Sequence, residues 1–265
     1  MQALAEIRYP SGNVYFCTKS TEVGASLALQ NAPQRRNQNL FDNYAHRYED
    51  VLNRALSASG ETRPYFARQR ILWLRNRLQA IGFKPSMVLD YGCGTGGSMP
   101  FLMEILHPSR LLGVDLSSES LVQARREHSG KGIEFENLQD SHPHLEFQLA
   151  FCNGVFHHIE PLQRPAALRY IYDSLAPGGI FAFWENNPWN PATRYVMGRC
   201  EFDREAVPIS SPAAQKLLRR SGFDVFHTSS QFYFPRWLKW LRALEPGLAH
   251  LPLGAQYMVL ARKPA

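Results

Sequence analysis

Short apolar runs alternating with amphipathic segments organise most of the chain. From Met87 onward, MVLDYG, LLGVDL, IEFEN, FQLAFCNG and GIFAFWE are of strand length, and helical segments from about Ser98, Ser118 and Gln163 interleave them. Strands alternating with helices predict βαβ units, hence a mostly parallel sheet with helices on both faces. A further helix over 212–221, a strand over 224–227 and the closing run QYMVLARK bring the strands to seven, with QYMVLARK expected at the sheet edge. Upstream, residues 35–83 read as helical. Ile71, Leu74, Leu78 and Ile81 recur at three- and four-residue steps, Gly82 stands where that helix should end, and Pro85 prevents its return. Near the start, EIRY and VYFC flank a PSGN turn, so residues 1–34 form either a small hairpin or a loose extension.

Two other patterns invite a role. Phe41, Tyr44 and Tyr48 in FDNYAHRYED fall on one helical face. In FYFPRWLKWLRALEPGLAHLPLG, Trp237, Trp240, Leu241 and Leu244 share a face, while Arg236, Lys239 and Arg242 mark others. Packing on the sheet with snorkelling basic stems is expected there, because only two turns fit before Pro246. Weak contact with a membrane surface is the alternative.

Composition narrows the classes. The apolar share of 45% suits a packed core, and no stretch approaches 18 uninterrupted apolar residues, so no spanning helix is expected. The start lacks a charged region followed by an apolar run, so it does not read as a secretory signal. Cys17, Cys93, Cys152 and Cys200 lie far apart with no CxxC pair. Free thiols in a reducing, cytoplasmic setting are expected, and no metal site. The net charge of +6 comes largely from scattered arginines such as Arg68, Arg70, Arg75 and Arg77, which read as a solvated helix face rather than a nucleic-acid surface.

The most informative segment is VLDYGCGTGG. A strand ends at Tyr91, Gly92, Gly94 and Gly96 turn the chain, and a helix opens near Ser98 with Pro100 tolerated in its first turn. Such a loop lets a ligand lie against the backbone, with helix N–H groups nearby. Gly92, Gly94 and Gly97 also satisfy the dinucleotide fingerprint, and Asp115 stands where a ribose-binding acid would be. Asp90 separates the readings. A carboxylate there opposes a pyrophosphate but complements a cationic sulfonium ligand. A nicotinamide-dependent oxidoreductase and a non-catalytic cofactor-binding protein are the competing classes.

Asp90-x-Gly92-x-Gly94-x-Gly96, followed by GVDLS, resembles the class I S-adenosylmethionine-dependent methyltransferases over roughly residues 40–262. The resemblance implies a Rossmann-like α/β domain over 35–265 that follows an extension over 1–34. Its parts would be a helical cap (35–83), a cofactor-binding core (86–186) and a lid loop (187–210). It implies S-adenosylmethionine as cofactor, with Asp90 near the methionine moiety and Gly92, Cys93 and Gly94 beneath it. Asp115 would hold the ribose hydroxyls, Leu116 would pack on adenine, and either Gln139 or Asp140 would meet the adenine edge. Tyr48, on the resembling capping helix, and Asn153 would also meet the cofactor, with Phe41 and Tyr44 turned to the acceptor.

FCNGVFHHIEP resembles the V-x-H-H segment of small-molecule methyltransferases and lacks the Asn/Asp-Pro-Pro-aromatic signature of base-modifying ones. The expected reaction is O-methylation of a small-molecule acceptor, with small-molecule N-methylation as an alternative. His157 or His158 would take or orient the acceptor proton near neutral pH, and Glu185 would point into the same mouth. The stretch 186–203 reads as a long connection, which makes Trp189, Arg194 and Tyr195 candidate lid contacts.

Overall fold

The computed structural model describes residues 56–130 and 132–265, with the backbone of two short strands nearer the start. Those strands, β1 (Glu6–Arg8) and β2 (Val14–Phe16), pair antiparallel with Ile7 opposite Tyr15, so EIR and VYF form the hairpin.

After a 3₁₀ turn at Ser57–Ser59 comes α1 (Arg63–Ala80), whose N-cap Thr62 accepts from the Tyr65 N–H. Ile71, Leu74 and Leu78 are buried as the periodicity requires. Ile81 is instead exposed, because Gly82 enters the left-handed region (φ +66°) and turns the chain off the helix one residue beyond it. There follow β3 (Met87–Tyr91), α2 (Met99–Leu106), β4 (Arg110–Asp115), α3 (Ser118–His128), β5 (Ile133–Asn137), β6 (Phe147–Asn153), α4 (Arg164–Ser174) and β7 (Leu175–Asn186). Then come α5 (Pro191–Arg199), α6 (Ser211–Arg220), β8 (Asp224–Gln231), α7 (Glu245–Leu248) and β9 (Gln256–Arg262).

The seven strands β3–β9 form one sheet in the order β5-β4-β3-β6-β7-β9-β8. Pairing is parallel from β5 to β7 and antiparallel for β7–β9 and β8–β9. QYMVLARK is therefore interior, and β8 is the edge. The burial explains the difference from expectation: Tyr257–Ala261 is a continuous buried run, as a strand flanked on both sides requires. DVFHTSSQ begins with alternately exposed positions, as an edge strand does.

Alternate side chains sort to two cores. Val88, Leu149, Phe151, Ala182 and Trp184 join the apolar faces of α1, α2 and α3. Leu89, Ala150, Cys152, Phe181 and Phe183 join those of α4 and α6. With both faces covered, ligand-binding groups are left to the carboxyl ends of the parallel strands.

Two expectations change here. The stretch after β7 is not a long loop. Asn190 caps α5 by accepting from the Thr193 N–H at 2.9 Å, Pro191 starts the helix, and a 3₁₀ turn at Glu201–Asp203 follows. The Trp237 segment does not pack on the sheet. It is a 3₁₀ stretch, Arg236–Leu244, broken at Leu238, with Trp237 and Trp240 each 72% exposed. Its inward anchor is basic: Arg242 pairs with Glu61 at 2.9 Å, donates to the Tyr65 hydroxyl and covers that ring. No helix among the described residues is long and apolar enough to cross a membrane.

Candidate active site

The turn from β3 into α2 is fastened to the neighbouring strand. The Gly92 and Cys93 N–H groups both donate to the Val114 carbonyl, and the Gly94 N–H donates to Asp115 Oδ2 at 2.8 Å. Gly92 is obligatory: φ is +73°, and a Cβ there would lie 2.4 Å from the Val155 side chain. Gly94 differs, since a Cβ built on it meets nothing within 4 Å and the residue borders a cavity. It leaves room for a ligand rather than for protein.

That cavity runs from the glycine loop to the turn after β6, between α1 and α5. Asp90, Gly92, Cys93, Gly94, Asn153, His157 and His158, all expected at the site, line it. Asp90 Oδ2 and Asn153 Oδ1 are buried there with no hydrogen-bond partner among the described residues. Burial and the nearby Asp115 charge push the Asp90 carboxyl from 3.8 up to about 7, against the pull of Arg70 and Arg63. Two unmet acceptors beside an open glycine backbone suit a ligand bearing a cation and N–H donors.

Asp115 itself does not line the cavity. Its Oδ1 accepts from the Ser117 N–H and its Oδ2 from Gly94, so it holds the loop in shape. Leu116 lies half-buried beside it, while Gln139 and Asp140 are exposed in the turn after β5. None of these three lines the cavity. Trp189, Arg194 and Tyr195 are likewise exposed, and Arg199 stacks on Tyr195. Because the segment is helical, one face of α5 is turned in instead, and it is Ala192, Thr193, Val196 and Met197 that line the cavity. Phe41, Tyr44 and Tyr48 lie outside the described residues.

The histidine pair is arranged differently from expectation. Glu185, at the end of β7, is fully buried and does not face the cavity. Its Oε1 accepts from the Phe156 and His157 N–H groups, and its Oε2 lies 2.6 Å from His157 Nδ1. The other ring nitrogen, His157 Nε2, lies 3.4 Å from Asp203 Oδ1, and His158 Nε2 lies 3.3 Å from that same oxygen. Burial alone would lower the pKa of His157, but the Glu185 and Asp203 carboxylates outweigh it and carry it up to about 10. The imidazole is thus a cation at neutral pH rather than the poised base expected. His158, buried beside that cation, is held well below its ordinary value. Arg164 clamps the turn by donating to the Phe156, Ile159 and Val207 carbonyls. Asp203 and Arg63 line the cavity without having been singled out in the sequence, and Arg70, expected on a solvated face, is instead buried, lines the cavity and donates to Gln256 Oε1 at 2.9 Å. Nothing local marks Asp203, since a turn after α5 brings it to the histidines.

Residues 88–179 match a family model described as a methyltransferase domain. A carboxy-S-adenosyl-L-methionine synthase of Wolinella succinogenes is 30% identical over 52% of this chain and 57% of its own length. A trans-aconitate 2-methyltransferase of Methylobacterium nodulans is 29% identical over 67% of this chain and 76% of its own. The chain is thus similar to S-adenosylmethionine-dependent methyltransferases, with a methyltransferase-domain match over residues 88–179. A fatty-acid O-methyltransferase of Mycolicibacterium smegmatis is 30% identical over 56% of this chain. The match spans 53% of that relative, so the chain aligns with little more than half of two of these three proteins. Among solved structures, the plantazolicin methyltransferase, in complex with a triazolic desmethylPZN analog and SAH, superposes with TM-score 0.60 and 15% identity over 92% of this chain and all of its own. A methyltransferase of Mesorhizobium loti superposes with TM-score 0.53 and 24% identity over 71% of this chain and 96% of its own. At such identities these two likenesses show the fold.

Proposed function

We propose that the chain transfers a methyl group from S-adenosylmethionine to an oxygen of a small organic acid or hydroxy compound. The observation that carries this reading is one cavity bordered at the glycine loop by the unmet oxygens of Asp90 and Asn153 and elsewhere by His157 and His158. When bound, S-adenosylmethionine supplies a methyl group on a positively charged sulfur, and the chain's own residues do the rest. Asp90 and Asn153 offer acceptors to the cationic end of the cofactor, and the bare backbone of Gly94 lets it approach. Asp115 holds that loop by accepting from the Gly94 and Ser117 N–H groups. Phe66, Val196 and Met197 supply apolar walls that keep water from the reacting centre. His157 and His158 orient the acceptor, while Glu185 is a positioning residue that fixes the His157 ring. Correct placement of this kind can account for roughly 7–11 kcal/mol of a barrier.

Oxygen as the methylated atom draws support from relatives named for trans-aconitate and for O-methylation of fatty acids. The test uses isotopically labelled S-adenosylmethionine with a panel of small carboxylic acids, phenols, sugars and amines. Label in an acid or hydroxy compound is expected, and mild alkali separates a labile methyl ester from a stable ether. Label entering only amines, or no compound of the panel, would overturn the reading.

A further inference from the structure

We propose that His157, His158 and Asp203 bind one divalent transition-metal ion of the zinc class in the wall of this cavity. The three side chains come from two separate segments, the turn after β6 and the 3₁₀ turn after α5. Each offers one ligand atom, and those atoms lie within 4.8 Å of one another. Both histidine Nε2 atoms converge on the same oxygen, Asp203 Oδ1, at 3.4 and 3.3 Å. Nitrogen and oxygen ligands 2.0–2.1 Å from a tetrahedral ion lie about 3.3 Å from one another, which is the spacing of each histidine nitrogen from the aspartate oxygen.

The converging oxygen is itself a second observation. The Asp203 side chain is 7% exposed, and its Oδ1 has no well-formed hydrogen bond among the described residues, although two imidazoles face it. Buried carboxylate oxygens are costly in that state, and a cation between the three groups would satisfy it. Behind His157, Glu185 Oε2 lies 2.6 Å from Nδ1. A carboxylate gripping the far nitrogen of a ligating histidine is the usual outer support of a metal site, since it fixes the ring and turns Nε2 toward the ion, which on binding releases the proton that Nε2 carries in the metal-free chain. Two imidazoles and one carboxylate favour zinc, iron(II) or cobalt(II) over magnesium and calcium, which prefer all-oxygen surroundings. All three ligands border the cavity, so the remaining coordination position is open to it. Three protein ligands with an open position is the pattern of a catalytic rather than a structural zinc. There the ion would receive the acceptor oxygen and lower its affinity for a proton. That use rests on the methyl-transfer reading, whereas the existence of the site does not.

The 265-residue chain, stripped with a chelator and dialysed, is titrated with Co²⁺ in the absence of S-adenosylmethionine and acceptor, following the visible absorption of four- or five-coordinate cobalt. Zn²⁺ is then used in competition. One equivalent per chain is expected. Asp203→Asn and His158→Ala should weaken binding at least about 100-fold, and Glu185→Gln by roughly 10–100-fold as an outer support. S-adenosylmethionine-induced thermal shifts confirm that each variant is folded. Absence of saturable Co²⁺ binding by the wild-type chain would overturn the proposal even if every variant were unstable. So would binding that Asp203→Asn and His158→Ala leave intact. Cobalt binding without methyl transfer to any acceptor would sink the functional reading and leave the metal site standing. Methyl transfer without metal binding would do the reverse.

Discussion

Asp90→Asn should make the ligand-free chain more stable and its cofactor binding weaker. The Asp90 carboxyl is 3% exposed and is pushed from 3.8 to about 7, chiefly by burial and then by Asp115. A raised folded-state value means that the folded chain holds this proton longer than the unfolded chain. Stability contributed at Asp90 is therefore complete below about pH 4, is lost as pH rises toward 7, and changes little above that. About three units at 1.36 kcal/mol each amount to about 4 kcal/mol at pH 7.5. The amide escapes this cost but keeps unmet polar atoms in the same place, at about 1–3 kcal/mol. The net gain is about 1–3 kcal/mol, or roughly 2–10 °C in Tm for a chain of this size. S-adenosylmethionine, in contrast, should bind the variant roughly 10–150-fold more weakly, the scale of a lost hydrogen bond to a charged group. Wild-type affinity should also fall about tenfold per unit as pH drops below 7, because the cation must then displace a proton. Calorimetric unfolding at pH 4.5 and 7.5, with isothermal titration over pH 5.5–7.5, measures all of this. A variant less stable than wild type at pH 7.5, or one that binds the cofactor equally well, would refute the reasoning.

Three further outcomes are expected. Asp115→Ala should weaken S-adenosylmethionine binding by about 1–3 kcal/mol in titration calorimetry and speed hydrogen exchange at the Gly94 N–H, which loses its acceptor. Gly92→Ala should lower stability by at least about 2 kcal/mol, combining left-handed backbone strain with the 2.4 Å approach to Val155. Chemical denaturation would show it, and Val155→Ala in the same chain should restore part of the loss. Trp237→Glu should shift stability by no more than about 0.5 kcal/mol, because the ring is 72% exposed. A larger loss by thermal melting would mean that the ring is covered.

The strands and the glycine loop were legible along the chain because their causes are local. A strand buried on both faces must be a short apolar run, and a turn that brings backbone to a ligand needs glycine after a strand and before a helix. Gly92 and Gly94 follow from that alone, as do the buried faces of β3 to β7 and, apart from Ile81, of α1. What lay beyond the sequence depends on which segments meet. QYMVLARK reads as an edge strand until β8 pairs outside it, since pairing partners leave no mark on periodicity. Glu185 and His157 read as two groups at one mouth, yet backbone N–H groups at residues 156 and 157 draw the carboxylate inward. That turns His157 from a free base into a held cation. The α5 segment offered Trp189, Arg194 and Tyr195 as lid contacts, but helical geometry turns Thr193 and Met197 to the cavity instead. Asp203 had no signature at all, because its chemistry exists only where the turn after α5 carries it against the two histidines that follow β6. Side-chain identity specified what each group can do, and long-range packing, by setting neighbours and solvent, decided which of those things it does.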